Sequence, residues 1–409
     1  CGENLTWSID VEGGTLTISG TGAMWDYTDI VENGMIHTTA PWYAYSPVKL
    51  ILEEGISHIG DYAFEGCSSI TGSLTLPESL TSIGHYAFRC GGFTGGLTLP
   101  EGLKSIGVGA FMGWSSLTSV TIPRSVTSID SSAFSFCENM ENIFVAEGNT
   151  GYTSVNGVLF NKNITTLVTY PTGKKGTTYQ IPEGVTEISV YSFGGCNNLT
   201  GVTIPEGVTV IGGVAFLNCS NLTSVTIPES VTEIGMGAFN SCLSLTSITI
   251  PESVTSVSYG AFNGCSSLKD VYYLGTQAQW EKMAVYSSNE PLLNAELHVN
   301  SAGYVVFGSC GENLTWGIDT DGTLTISGTG DMQDYDVVSE NDAWHTTAPW
   351  YAYSPKKLVL EEGITHVGKS AFVGCGFTGE LTIPKGVTDI GYRAFGYCSG
   401  FTGSVTLPE

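Results

Sequence analysis

A step of Ala-Phe or Ser-Phe recurs along this chain, with its phenylalanines at Phe64, Phe88, Phe111, Phe134, Phe193, Phe216, Phe239, Phe262, Phe372 and Phe395. Wherever the series runs unbroken, the spacing is 23 or 24 residues. Self-similarity at such a period marks a chain built from stacked supersecondary units. One unit, Leu222 to Asn240, reads LTSVTIPESVTEIGMGAFN, so Leu222, Val225, Ile227, Val231, Ile234, Ala238 and Phe239 make a fixed apolar set. A single unit has nowhere to bury that set. Stacking copies at the strand spacing of ~4.8 Å joins the sets into one core and the strands into one parallel sheet.

Within the unit, Ser224 to Ile227 alternates with period two, which points Val225 and Ile227 inward and Ser224 and Thr226 outward. Pro228 has no N–H to give a ladder and ends the strand. Gly235 permits a bend before a short helical turn that carries Ala238 and Phe239 inward. Cys67, Cys90, Cys137, Cys196, Cys219, Cys242, Cys265, Cys375 and Cys398 follow the repeat phenylalanine by two or three residues, and Trp114 holds the position once. A site that accepts Trp and occurs once per coil reads as a stacked core position of reduced thiols. Disulfides between neighbouring coils remain an alternative, since coil spacing brings these residues near disulfide range.

The combined pattern LxxVxIPxxVTxIGxxAFxxC resembles the leucine-rich repeats of the BspA-like family, the Treponema pallidum type. The strand-ending Pro, the Ile-Gly pair, the Ala-Phe pair and the Cys recur together over nearly the whole chain. The resemblance implies a β-rich α/β solenoid: a right-handed superhelix of 23-residue repeats with a parallel concave sheet and β-hairpin caps. It also implies an extracellular or cell-surface protein of the kind found in host-associated bacteria, with adhesion to proteins as the expected role; a glycan-binding module and a structural spacer of a larger surface protein are the alternatives, and no enzymatic activity is expected.

Departures from the repeat mark the organisation. Between Val145 and Ile181 the interval lengthens to 36 residues, and Gly157 to Phe160, the turn Asn161 to Asn163, and Thr166 to Tyr170 read as an inserted hairpin. After Tyr273 the pattern stops; Thr276 to Val285 reads as a short helix with Trp280 and Met283 inward, the start of a C-terminal cap. CGENLTWSID from Cys1 returns as CGENLTWGID from Cys310, and HTTAPWYAYSP from His37 returns unchanged from His345. Each copy opens with a hairpin, Leu5 to Ile9 against Leu16 to Ile18 in the first, and leads into repeats at Leu50 and Leu358. These readings give an N-terminal cap over 1–49, an array over 50–273 with the insertion near 146–180, a C-terminal cap over 274–300, a second N-terminal cap over 301–357, and the truncated start of a second array over 358–409.

Chemistry is sparse. No Walker loop, HExxH, GxSxG elbow or strand-linked GxGxxG occurs. His37 and His58 are matched by His345 and His366 in the duplication, so they track architecture. Asp319-Thr320-Asp321-Gly322 lacks the distal Glu of a calcium loop and, with Asp10 to Gly13, reads as a hairpin turn. The chain expects no cofactor and no metal. With 14 Lys and Arg against 39 Asp and Glu, a net charge of -25 repels nucleic acid and anionic membranes, and no stretch is long enough to cross a bilayer as a helix.

Three surfaces remain as candidates. Glu78, Glu101, Glu183, Glu206, Glu229, Glu252 and Glu409 follow the strand-ending proline and align along one edge, interrupted by Arg124 and Lys385; they read as a solvated rim or, alternatively, a weak cation or basic-partner stripe. The outward strand slot carries Thr75, Thr98, Thr121, Thr203, Thr226, Thr249, Thr382 and Thr406, with Phe144 and Tyr272 in the same slot. Large apolar groups amid hydroxyls are the expected contact anchors for a host or neighbouring-cell protein. Trp42, Tyr43 and Tyr45, repeated at Trp350, Tyr351 and Tyr353, either seal the cap or form a patch on which a glycan stacks. The expected state is a monomer.

Overall fold

The computed structural model describes the chain apart from residues 11, 33, 300–305, 320, 341–342 and 403–409, so the readings placed on Thr320, Thr406 and Glu409 lie outside the described residues. Two compact units form, one from residues 1–271 and 282–296, the other from residues 272–281 and 297–409. Both are built of parallel β-solenoid coils with ~23-residue spacing and little helix.

In the first unit most coils contribute to two strand ladders, although residues 73–77 and 96–100 form no strand, so the long ladder is interrupted between Lys49–Leu52 and Ser119–Ile122. The expected long strands are present: Ser224–Thr226 lies parallel to Ser247–Ile250 with Val225 opposite Ile248 and Thr226 opposite Thr249. Leu222, Val225, Ile227, Val231, Ile234, Ala238 and Phe239 are all buried. A second ladder, which the periodicity did not reveal, runs through the dipeptides before the bend. His58, Ser82, Ser105 and Ser128 align outward on it while Ile59, Ile83, Ile106 and Ile129 point in.

The bend carries turns instead of the expected helical segment. Gly237 and Ser241 both have φ of 60°, a left-handed conformation that stops a helix after a single turn. The N–H groups freed in this way reach sideways: those of Gly237, Phe239 and Ser241 donate to the carbonyls of Tyr259, Ala261 and Asn263 in the next coil at 3.0, 2.8 and 2.7 Å. The turn side is therefore a third hydrogen-bonded ladder, which pairs backbone groups that the two strand ladders do not reach.

Beneath it stand the phenylalanines. Phe64, Phe88, Phe111 and Phe134 stack at 5.3, 5.6 and 5.4 Å between ring centroids, and Phe193, Phe216, Phe239 and Phe262 at 4.8, 5.1 and 5.4 Å. The cysteines lie beside them with free thiols. The Sγ–H groups of Cys137, Cys219, Cys242 and Cys265 donate to the carbonyls of Phe111, Phe193, Phe216 and Phe239, one coil back, at 3.1–3.3 Å. Burial pushes the Cys137 and Cys219 thiols up to about 12. In this arrangement Cys67, Cys137, Cys196, Cys219, Cys242, Cys265 and Cys375 are buried as thiols and Cys398 is half-buried, whereas Cys90, expected in the core, is exposed: it takes the left-handed position two residues after Phe88 that Gly66 holds after Phe64.

The long interval is a modified coil. Tyr152–Val155, Val158–Asn161 and Thr166–Thr169 form an antiparallel meander, one strand more than the expected hairpin. Its last strand runs parallel to Glu187–Ile188 and so rejoins the short ladder. Tyr170 then takes the phenylalanine's place: its ring stacks on Phe193 at 5.1 Å, and the Cys196 thiol faces its carbonyl as other cysteines face a phenylalanine's.

Each N-terminal cap is itself a first coil. Leu5–Asp10 and Thr15–Gly20 pair antiparallel as expected, with Ile9 opposite Leu16; Thr15–Gly20 then lies parallel to Lys49–Leu52, and Gly22–Ala23 to Ile56–Ile59. The Asp10 and Asp319 carboxylates accept backbone N–H groups of the following residues, which makes both sites hairpin turns. In the second unit Thr323–Gly328 lies parallel to Lys357–Leu360 and antiparallel to Leu314–Ile318, preceded by an added strand, Val306–Ser309. At the far end of the first array, Ala284–Val285 continues the short ladder, and buried Asn289 accepts the N–H of Phe262 at 2.9 Å and donates to the carbonyls of Ser258 and Tyr286. The helix expected over Thr276 to Val285 shortens to Gln277–Trp280, held by a capping box at Thr276; Trp280 packs edge-on to Tyr273.

Candidate functional site

The long-strand ladder positions the candidate residues, because alternation leaves one outward slot per coil. Thr75, Thr98, Thr121 and Thr203 are exposed in that slot, and Thr226 is half-buried. Phe144 lies directly beside Thr121 in the parallel register and is 48% exposed. Its strand, Asn142–Val145, pairs on one side with Ser119–Ile122; on the other, the Ile143 N–H goes to the carbonyl of Gly157 in the meander. The aromatic side chain therefore stands where the regular face is interrupted.

Two other slot residues depart from expectation. Tyr272 is 2% exposed: its ring stacks on His298 at 4.7 Å and meets Phe307 edge-on at 5.4 Å. Residues outside the repeat supply that cover, so the slot rule fails there. Thr249 is buried as well, at 8% exposure. Conversely, Ile51 occupies the slot in the first coil, opposite Thr17 of the cap, and is 49% exposed. The signal for it was present in the sequence, since Leu50 opens the first repeat and Ile51 stands where Thr75 stands one coil on.

The aromatic patch of the cap does not form. Trp42 is fully buried, stacks on Phe64 at 5.4 Å as the first rung of the ring column, and donates its Nε1–H to the Ala63 carbonyl at 2.9 Å; Trp350 does the same with Phe372 and Ala371. One face of Tyr43 is taken by His37, stacked at 4.1 Å, and Tyr351 pairs likewise with His345. Trp42, Tyr43, Trp350 and Tyr351 pack into the caps, whereas Tyr45 and Tyr353 are 64% and 41% exposed.

The remaining duplicated histidines tie cap to array. His58 Nε2 lies 3.5 Å from Asp26, whose carboxylate accepts the Asp61 N–H, and His58 Nδ1 lies 2.7 Å from the Ser82 hydroxyl. The same row of atoms in the second unit runs Asp334, His366, Asp389. A hydroxyl nucleophile is thus absent from one of two otherwise matching arrangements, and the feature common to both is the bridge. Along the glutamate edge, Glu54 accepts the N–H groups of Glu78 and Ser79, the first of which chiefly holds its carboxyl below the usual range. Glu206 accepts the Glu229 N–H at 3.2 Å, and partial burial, followed by Glu252 and Glu206, pushes Glu229 up.

The BspA-type leucine-rich-repeat region, in six copies, matches residues 41–167, 172–310 and 350–409. The chain belongs to this family. A leucine-rich-repeat protein from Eubacterium ventriosum is similar in structure, with 25% identity and a TM-score of 0.57 over 97% of this chain and 93% of that one. A leucine-rich cell-surface protein from Faecalibacterium prausnitzii has 22% identity and a TM-score of 0.42 over 70% of this chain and 97% of that one. The pneumococcal vaccine antigen PcpA has 19% identity and a TM-score of 0.45 over 74% and 93%. No curated protein matches the chain.

Proposed function

We propose that this BspA-type protein is an extracellular, surface-displayed adhesin that binds a protein of a host or neighbouring cell through the long-strand face of its first array. The observation that carries this reading is the pair of exposed apolar residues in an otherwise hydroxyl-lined slot, Ile51 and Phe144. Four coil steps of ~4.8 Å separate them by ~19 Å, with Thr75, Thr98 and Thr121 between. Hydroxyls in that position stay hydrated and discriminate little, so selectivity falls to the two apolar ends. The backbone beneath is tied from coil to coil by hydrogen bonds before any partner arrives, which limits the entropy lost on association.

Adherence of beads coated with the whole chain to epithelial and bacterial cell layers tests the reading. Binding should disappear when the layer is treated with protease and persist after glycosidase treatment. Changing both anchors, Ile51→Thr and Phe144→Thr, should weaken it by ~1–3 kcal/mol per anchor, the scale of an interface hot spot. Adherence by the folded double variant equal to that of the unaltered chain would overturn the assignment of the face.

A further inference from the structure

A second surface lies on the turn side of the first unit. In most coils there a left-handed residue stands two places after the ring of the core column, and the chain mostly puts a small or polar residue in it, as at Gly66, Gly113, Gly195, Asn218, Ser241 and Gly264. Phe136 holds the same position with φ of 60°. A bulky side chain in that conformation is strained, a feature that Phe136 shares with Tyr62, Tyr86, Tyr191 and Val214 elsewhere on these turns. The core column does not include this ring, which is half-buried. It rests instead on bare backbone: a Cβ added to Gly195 would stand 2.6 Å from Phe136 Cδ1. Gly195 therefore seats the ring.

Next to this platform the coils climb in single steps. The Gly195 N–H donates to the Leu217 carbonyl and that of Asn218 to the Asn240 carbonyl, which places Gly195, Asn218 and Ser241 on successive coils. Together with Phe136, Glu138 and Asn197 they line an open groove of about 430 Å³. Asn197 accepts the N–H and hydroxyl of Ser220 through Oδ1, which turns its amide nitrogen outward, and Ser241 presents a hydroxyl held by Asn240. Aromatic face, amides and hydroxyls in a row are complementary to a ring that is apolar on its C–H face and polar around its rim.

We propose that this groove is a subsite for a neutral oligosaccharide, with one sugar ring seated on Phe136 and the hydroxyls of the next rings hydrogen-bonded by Asn197, Asn218 and Ser241. The coil step of ~4.8 Å is close to the length of one hexose unit, so successive coils meet successive sugars. An extended peptide fits less well, because the N–H groups on this edge are already used from coil to coil and leave no open strand to augment. Acidic glycans are disfavoured by Glu138 in the wall and by the net charge of -25.

Titration calorimetry of the whole chain with cellohexaose, maltohexaose and chitohexaose at millimolar concentration, and with a heparin hexasaccharide, tests this. At least one neutral hexasaccharide should bind, and the sulfated one should not. Phe136→Gly installs the residue used at Gly66 and Gly264, so the melting temperature should not fall, while affinity should drop roughly tenfold, the scale of a stacked anchor. Asn218→Gly should weaken binding severalfold and serves as the test if Phe136→Gly lowers the melting temperature. Phe144→Thr, on the other face, should leave sugar binding unchanged. Failure of all three neutral sugars to bind, equal binding by a folded Phe136→Gly, or preference for the sulfated sugar would overturn the proposal.

Discussion

Tyr170 provides the sharpest test of how the solenoid crosses its irregular coil. If it is the missing rung of the ring column, Tyr170→Ala should behave as a core truncation although the residue lies in what the sequence marks as an insertion. The ring is 3% exposed, stacks on Phe193 at 5.1 Å and meets Tyr179 at 4.8 Å. Truncation of a buried aromatic costs ~3–5 kcal/mol, and each lost ring partner is worth ~0.5–1.5 kcal/mol of that total, which places this site toward the upper end. Tyr170→Phe keeps the ring and removes only the hydroxyl, so it should stay within ~1 kcal/mol of the unaltered chain. Urea denaturation followed by tyrosine fluorescence and far-ultraviolet circular dichroism reads both, with the slope checked because stacked arrays lose cooperativity when a middle coil weakens. The exposed Thr203→Ala is the control and should fall within ~0.5 kcal/mol. A midpoint shift for Tyr170→Ala no larger than that of the control would mean that Tyr170 does not serve as the core ring of its coil.

The thiols give a second prediction: under native conditions a thiol reagent should modify exposed Cys90 first, while Cys137 and Cys219, buried and pushed up to about 12, react only on unfolding. Fewer than eleven free thiols in denaturant would instead indicate disulfides between coils. Glu65 gives a third. It is 1% exposed beside Arg89 at 2.7 Å, and burial pushes its carboxyl up to about 7 despite that guanidinium, with Asp29 adding to the rise and His37 opposing it. A raised folded-state value for an acid means that the fold favours the proton, so its contribution to stability is full below the ordinary glutamate range and is lost as pH rises through about 7. The melting temperature of the unaltered chain should therefore fall relative to Glu65→Gln between pH 5 and 8, and a constant difference across that range would refute the assignment.

What was legible in the sequence was whatever one coil states by itself and the next repeats. Val225, Ile227 and Phe239 alternate or recur in a way that only burial explains, and all three are buried. The ladders across coils were less legible. The short strand at Glu233–Ile234 has two residues, too few for a period, and the N–H groups of Gly237, Phe239 and Ser241 are backbone atoms whose partners lie one coil away. Tyr170 is less legible because every phenylalanine of the column stands in an Ala-Phe or Ser-Phe step, although the interval from Tyr170 to Phe193 keeps the period. The exposed slots were legible only in part, and for a definite reason. The repeat determines which way a side chain points, whereas exposure depends on everything else that reaches the same surface. Phe144 and Tyr272 obey the same alternation, yet Phe144 is 48% exposed and Tyr272, under His298 and Phe307, only 2%. In a solenoid, then, a large apolar residue that breaks the repeat marks a binding face only when nothing else covers it. That criterion retains Ile51, Phe144 and Phe136 and rejects Trp42 and Tyr272.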